Sequence, residues 1–86
     1  MKTVVEASRP AHDLRVELDA TTRFWNAPEA AYFDQRVIAA VLSSSEAKLE
    51  RDRWLGVGLP YSRHGRRILY KKADVLALLE RNRTVL

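Results

Sequence analysis

Cations gather in one short stretch of this chain. Arg63, His64, Arg66 and Arg67 lie at or beside the dipeptide His64-Gly65, and Lys71 follows shortly after. Upstream, Ser44, Ser45 and Glu46 open a helical segment that carries Lys48 and Arg51 about one turn apart. The chemistry open to these residues is recognition of a polyanion. Guanidinium groups grip phosphate oxygens as a planar fork, and ammonium groups act as point charges. A serine-capped helix start adds free backbone N–H groups and the positive end of the helix dipole.

Reaction chemistry is not expected. The two histidines, His12 and His64, sit on unrelated segments, and cysteine is absent. No set of residues has metal-ligand spacing, and no glycine-rich loop is built to cradle a phosphate. Glu46 and Glu50 stand one helical turn apart, but without a histidine partner they read as solvated charge. His64 reads as a turn residue rather than a base or ligand. The expectation is a non-enzymatic chain with no cofactor and no metal.

The placement of charge narrows the partner. The net charge is +4. Residues 1–45 carry five Lys/Arg and six Asp/Glu, a net −1. Residues 46–72 carry eight and three, a net +5, and residues 73–86 carry two of each. A basic patch confined to one segment is the footprint of a polyanion partner, against the bland alternative of a solvated surface. Eighty-six residues make one small domain with tails. A chain of this size buries only about 60% of its unfolded surface, so its core is modest. The lack of cysteine and of long apolar runs leads to the expectation of a soluble, cytoplasmic protein.

The elements that must hold these residues follow from local signals. Residues 1–23 lack sustained periodicity and read as a flexible arm. Within it Leu14, Val16 and Leu18 alternate with charged residues, as an edge strand would. Phe24 and Trp25 are expected to pack onto the domain from outside, with Asn26 capping a short helix over residues 27–33. Asp34 caps an amphipathic helix holding Val37, Ile38, Val41 and Leu42, and Ala39 and Ala40 permit close packing. Ser43 with Glu46 matches a capping box, and Ser45 is an equal candidate cap. The next helix runs to about Trp54, with Ala47, Leu49, Arg53 and Trp54 toward the core. Trp25 and Trp54 read as packing residues rather than stacking platforms for bases. Gly56-Val57-Gly58 stops that helix.

A hairpin follows, with Arg63 opposite Arg66, Tyr61 opposite Ile68, and His64-Gly65 as its two-residue turn. Tyr61, Ile68 and Tyr70 then share the core face. The last helix spans Ala73 to about Arg83, with Val75, Leu76, Leu78 and Leu79 as its apolar stripe. Trp54, Leu49, Ile68, Tyr70, Val75 and Leu79 are expected to form one cluster. The architecture expected is α+β, mainly α: a small winged helix-turn-helix over residues 24–83, with a two-stranded wing hairpin and a tail at 84–86.

The order VIAAVL, SSSEAKLERDRW, a glycine break, LPYSRHGRRILY and KKADVLALL resembles the excisionase-like, MerR-related winged helix-turn-helix proteins over about residues 34–80. The GRRILYKKAD portion is the more specific part. The resemblance implies a recombination directionality factor. Such a protein binds double-stranded DNA at repeated sites beside an attachment site and associates with itself head to tail there. It bends the DNA and steers a tyrosine-type integrase toward excision of a mobile element. On that basis Ser44, Ser45, Glu46, Lys48, Arg51, Arg63, His64, Arg66, Arg67 and Lys71 are candidate DNA-binding residues. The acids Glu46, Glu50 and Asp52 can pair with Arg51 and Arg53, or accept from cytosine amino groups. The alternatives are a small phage-type transcription regulator and, from another class, a protein-interaction or antitoxin-like module.

Overall fold

A computed structural model describes residues 11–85 of the chain. In chain order the elements are α1 (Ala11–Asn26), β1 (Tyr32–Asp34), α2 (Gln35–Val41), α3 (Glu46–Leu55), β2 (Ser62–His64), β3 (Arg67–Lys71) and α4 (Lys72–Arg81). The fold is α+β and mainly helical. Its sheet has three antiparallel strands in the order β1-β3-β2, where the sequence led us to expect only a hairpin. The first ten residues, part of the expected arm, lie outside the described range.

The expected edge strand at Leu14, Val16 and Leu18 is instead part of a 16-residue helix. Between Ala11 and Asn26 there is no glycine or proline to interrupt it. Its end is set by Pro28, which disfavours helical geometry at Ala27. Ala27 N–H still reaches the Phe24 carbonyl at 3.2 Å, and Ala31 N–H turns back to Pro28 at 3.0 Å. Asn26 therefore closes a helix rather than opening one, and no helix forms over residues 27–33. Phe24 is fully buried in the core, not applied from outside, whereas Trp25 is half exposed.

The chain then enters β1, whose last residue also caps α2. Asp34 Oδ1 accepts from the Val37 N–H at 3.1 Å, as its type and position predict. Helix α2 ends in a paired backbone motif: Ser43 N–H reaches Ala40 and Ser44 N–H reaches Ala39. That motif puts Ser43 at φ 53°, the left-handed region usually given to glycine. Ser43 is thus a helix stop, and the expected capping box with Glu46 does not form. Ser45 caps α3, accepting from Lys48 N–H at 3.1 Å. Helix α3 ends the same way as α2, with Gly56 at φ 75° and Val57 N–H on the Asp52 carbonyl.

The hairpin register differs from expectation by two residues. Ser62, Arg63 and His64 pair with Leu69, Ile68 and Arg67. The loop is Gly65-Arg66, with positive φ at Gly65 alone. Glycine first with an ordinary second residue is the pattern of a II′ turn. A slip of two keeps every side chain on its expected face. Tyr61, Arg63, Ile68 and Tyr70 therefore share the inner face with Phe33, which β1 sets beside Tyr70. Ser62, His64, Arg67, Leu69 and Lys71 occupy the outer face.

The core gathers Phe24, Ile38, Ala39, Leu49, Leu59, Tyr70 and Val75, with Phe33, Val37, Val41, Leu42, Ile68 and Leu78 packed against it. Two expected members are missing. Leu79 is 41% exposed and Trp54 is 86% exposed. Among the described residues, no helix is long and apolar enough to cross a membrane.

Candidate nucleic-acid interface

Helices α2 and α3 are joined by the four residues Leu42–Ser45, the short connection that a helix-turn-helix uses. What decides the interface is how α3 is rolled about its own axis. Leu49 is buried, which points that side of α3 inward. Three further side chains follow it to the domain side through one residue that the sequence did not single out. Gln35, in the first turn of α2, donates from Nε2 to Glu46 Oε1 and to Glu50 Oε2, both at 3.0 Å. Its Oε1 accepts from Arg53 Nη1 at 2.8 Å.

Arg53 completes the tie. Its Nη1 also donates to the Tyr70 hydroxyl at 2.6 Å, and its guanidinium lies 5.7 Å from the centre of the Tyr61 ring. The phenolic oxygen of a buried tyrosine thus has a charged donor, so no polar atom is left stranded beside the core. Glu46 and Glu50 remain exposed, but both accept from Gln35 and line the cleft toward the hairpin. Asp52 is likewise occupied, by Lys48 Nζ at 2.9 Å. Asp52 also lies against Gly58, whose missing Cβ would stand 3.1 Å from its Cβ.

The outward side of α3 carries Ala47, Arg51 and Trp54, flanked by Lys48 and Leu55, all exposed. Lys48 and Arg51 do share this side, as their spacing predicts. Ser45 is spent on the helix cap, Ser44 is half-buried, and Glu46 is engaged by Gln35. The sequence list therefore divides: Lys48 and Arg51 lie on the side opposite Leu49, and Glu46, though exposed, is hydrogen-bonded to Gln35.

The hairpin cations also divide. Arg63 lies on the inner face opposite Ile68, and Arg66 occupies the loop. Arg67 and His64 form an opposed pair on the outer face, with Arg67 Nη2 at 3.9 Å from Asp34 Oδ2. Lys71 sits at the far end of β3 from the loop. Between the hairpin and α3 runs an open cleft lined by Asp34, Gln35, Arg36, Glu46, Glu50, Arg53, Arg66, Arg67 and Ile68. Arg66 and Arg67 thus come near the N-terminal half of α3, while Lys71 and His64 do not line that cleft. Beta-hairpin cations and a capped helix side by side can grip a phosphate backbone at two points while one helix face meets a groove.

A second residue missed by the sequence is Lys72, which is buried. Its Nζ donates to the carbonyls of Ala27 at 2.7 Å and Trp25 at 3.1 Å, and lies over the Phe24 and Trp25 rings. One of the eight cations of the 46–72 segment is therefore withdrawn from any ligand and set at the negative end of α1. Among the described residues, no group of three or more His, Cys, Asp or Glu side chains is placed to hold a metal. No protein-family model, curated protein or solved structure matches this chain.

Proposed function

We propose that this chain is a non-enzymatic, winged helix-turn-helix protein that binds double-stranded DNA, and that it acts as an excisionase. The observation that carries the DNA reading is the roll of α3. Glu46 and Glu50 are hydrogen-bonded to Gln35, and Lys48 and Arg51 lie on the side opposite Leu49, near a hairpin whose turn carries Arg66 and Arg67. Helix α3 enters the major groove in this reading, and the hairpin is the wing against the neighbouring backbone. The step from DNA binding to directionality rests on the sequence resemblance. It brings with it a tyrosine-type integrase as partner and head-to-tail association of copies on DNA.

Two measurements test this. A salt titration of duplex binding should give a slope of roughly −3 to −6 in log affinity against log salt for each bound protomer, since each neutralised phosphate contributes about −0.9. A flat dependence removes the DNA reading. Footprinting across the attachment sites of the parent element should then show protected direct repeats, filled cooperatively and bent. Binding as a stable solution dimer to an inverted repeat would instead favour a transcription regulator.

A further inference from the structure

Trp54 is the least explained side chain of the described residues. It is the largest residue type, it is 86% exposed, and it stands on a helix otherwise anchored by Leu49 and Arg53. With 3.6 residues per turn it lies about 140° round α3 from Leu49, so no small rotation could bury it. Ala47, Arg51 and Trp54 follow at i, i+4 and i+7, which makes them a straight row along the outward side. At 1.5 Å rise per residue that row is about 10 Å long. Base pairs stack every 3.4 Å, so the row spans about three of them.

Resting on the DNA-binding reading above, we propose that the row Ala47–Arg51–Trp54 is the base-reading edge of α3 in the major groove, with Trp54 covered by thymine methyl groups. The occupant is set by charge and by chemistry together. The row sits in the most basic segment of the chain; of the acids beside it, Glu50, one turn before Trp54, accepts from Gln35, and Asp52 is paired with Lys48. Arg51 presents a fork that fits the O6 and N7 acceptors of guanine. Ala47 and Trp54 offer apolar contact, for which the thymine methyl is the matching group in that groove. The site therefore reads as a guanine with thymines on either side of it. Lys48, tied at 2.9 Å to Asp52 on the flank, contacts phosphate rather than a base edge.

Trp25→Phe leaves Trp54 as the sole indole, since the chain has two tryptophans. The probe is a 20-base-pair duplex selected by the chain from a random pool. Saturation with it should shift Trp54 emission and cut acrylamide quenching severalfold. Trp54→Ala should lower the ratio of selected to random affinity by about tenfold, the scale of a good base contact, with an unchanged salt slope and an unchanged melting midpoint. Thymine-to-uracil replacement only on the side of the guanine that faces Trp54 should weaken the parent chain and leave Trp54→Ala indifferent. Duplex binding with a normal salt slope, an unmoved Trp54 spectrum and an unchanged affinity ratio overturns this proposal alone. Absence of salt-dependent duplex binding, including capture of an acidic protein in its place, overturns it together with the DNA reading.

Discussion

Arg53 Nη1 donates to the Tyr70 hydroxyl at 2.6 Å and so ties the last turns of α3 to the central strand of the sheet. The same nitrogen reaches Gln35, so helix α2, helix α3 and strand β3 meet at one guanidinium. Both bonds use the two N–H groups of that single nitrogen, while the guanidinium carbon lies 5.7 Å from the centre of the Tyr61 ring.

Gln35→Leu tests what this tie does for binding. The substitution removes three hydrogen bonds, two of them on exposed carboxylates, and should cost about 1–3 kcal/mol in a denaturant titration. It should also weaken duplex binding, because Glu46 and Glu50 are freed to meet incoming phosphates. Adding Glu46→Gln and Glu50→Gln on that background should restore affinity but not stability. Affinity that stays low after the triple change would show that the carboxylates were not the obstacle.

Lys72→Met keeps the length of the stem and deletes its charge. Two carbonyls at the end of α1 lose their donor, and the expected cost is about 2 kcal/mol, near that of a charged hydrogen bond. The loss should be local first. Amide exchange should rise over α1 while α2 and α3 keep their protection. Uniform exchange across all helices would mean that α1 is not held chiefly by this contact.

Two core substitutions separate the observed packing from the expected one. Ile38 is fully buried, so Ile38→Ala should cost roughly 2–5 kcal/mol. Leu79 is 41% exposed, and Leu79→Ala should cost well below that, near the ~0.5 kcal/mol typical of surface changes. Thermal melts of the pair decide it: equal shifts would place Leu79 back in the core.

At the hairpin, Arg66→Ala with Arg67→Ala should weaken binding to all duplexes alike and make the salt slope shallower by up to about 2. A change in sequence preference instead would assign base reading to the hairpin. Part of the Arg67 effect is discounted in advance, since Asp34 already stands 3.9 Å from its guanidinium.

Much of this architecture is legible in single residues. Asp34, Ser45 and Gly56 mark helix ends by chemistry that acts within four residues, and each does the task its type suggests. The inner face of the hairpin is legible too, because a two-residue slip preserves alternation. What escapes is non-local. Strand β1 is three residues long, and its partner lies more than thirty residues on, so no local pattern announces it. Leu14, Val16 and Leu18 alternate over too short a window to distinguish strand from helix. The better signal was the run from Ala11 to Ala27 without glycine or proline. By residue type alone Trp54 reads as an inward packing residue. Its helical phase relative to Leu49 argued otherwise. Gln35 and Lys72 carry no sequence signal at all, since their work is defined by groups 11 to 47 positions away.

The Lys72 contact has a consequence for the order in which the chain assembles. Its bond to Ala27 closes a segment of 45 residues, and Ala73 N–H on the Glu29 carbonyl closes a similar one. Closing a flexible loop of that length costs about 3 kcal/mol in chain entropy before any contact repays it. The α2–α3 turn and the two-residue hairpin close spans an order of magnitude shorter. Local contacts form fastest, so the half built from α2, α3 and the hairpin should take shape first and α1 should dock last, onto a surface already built.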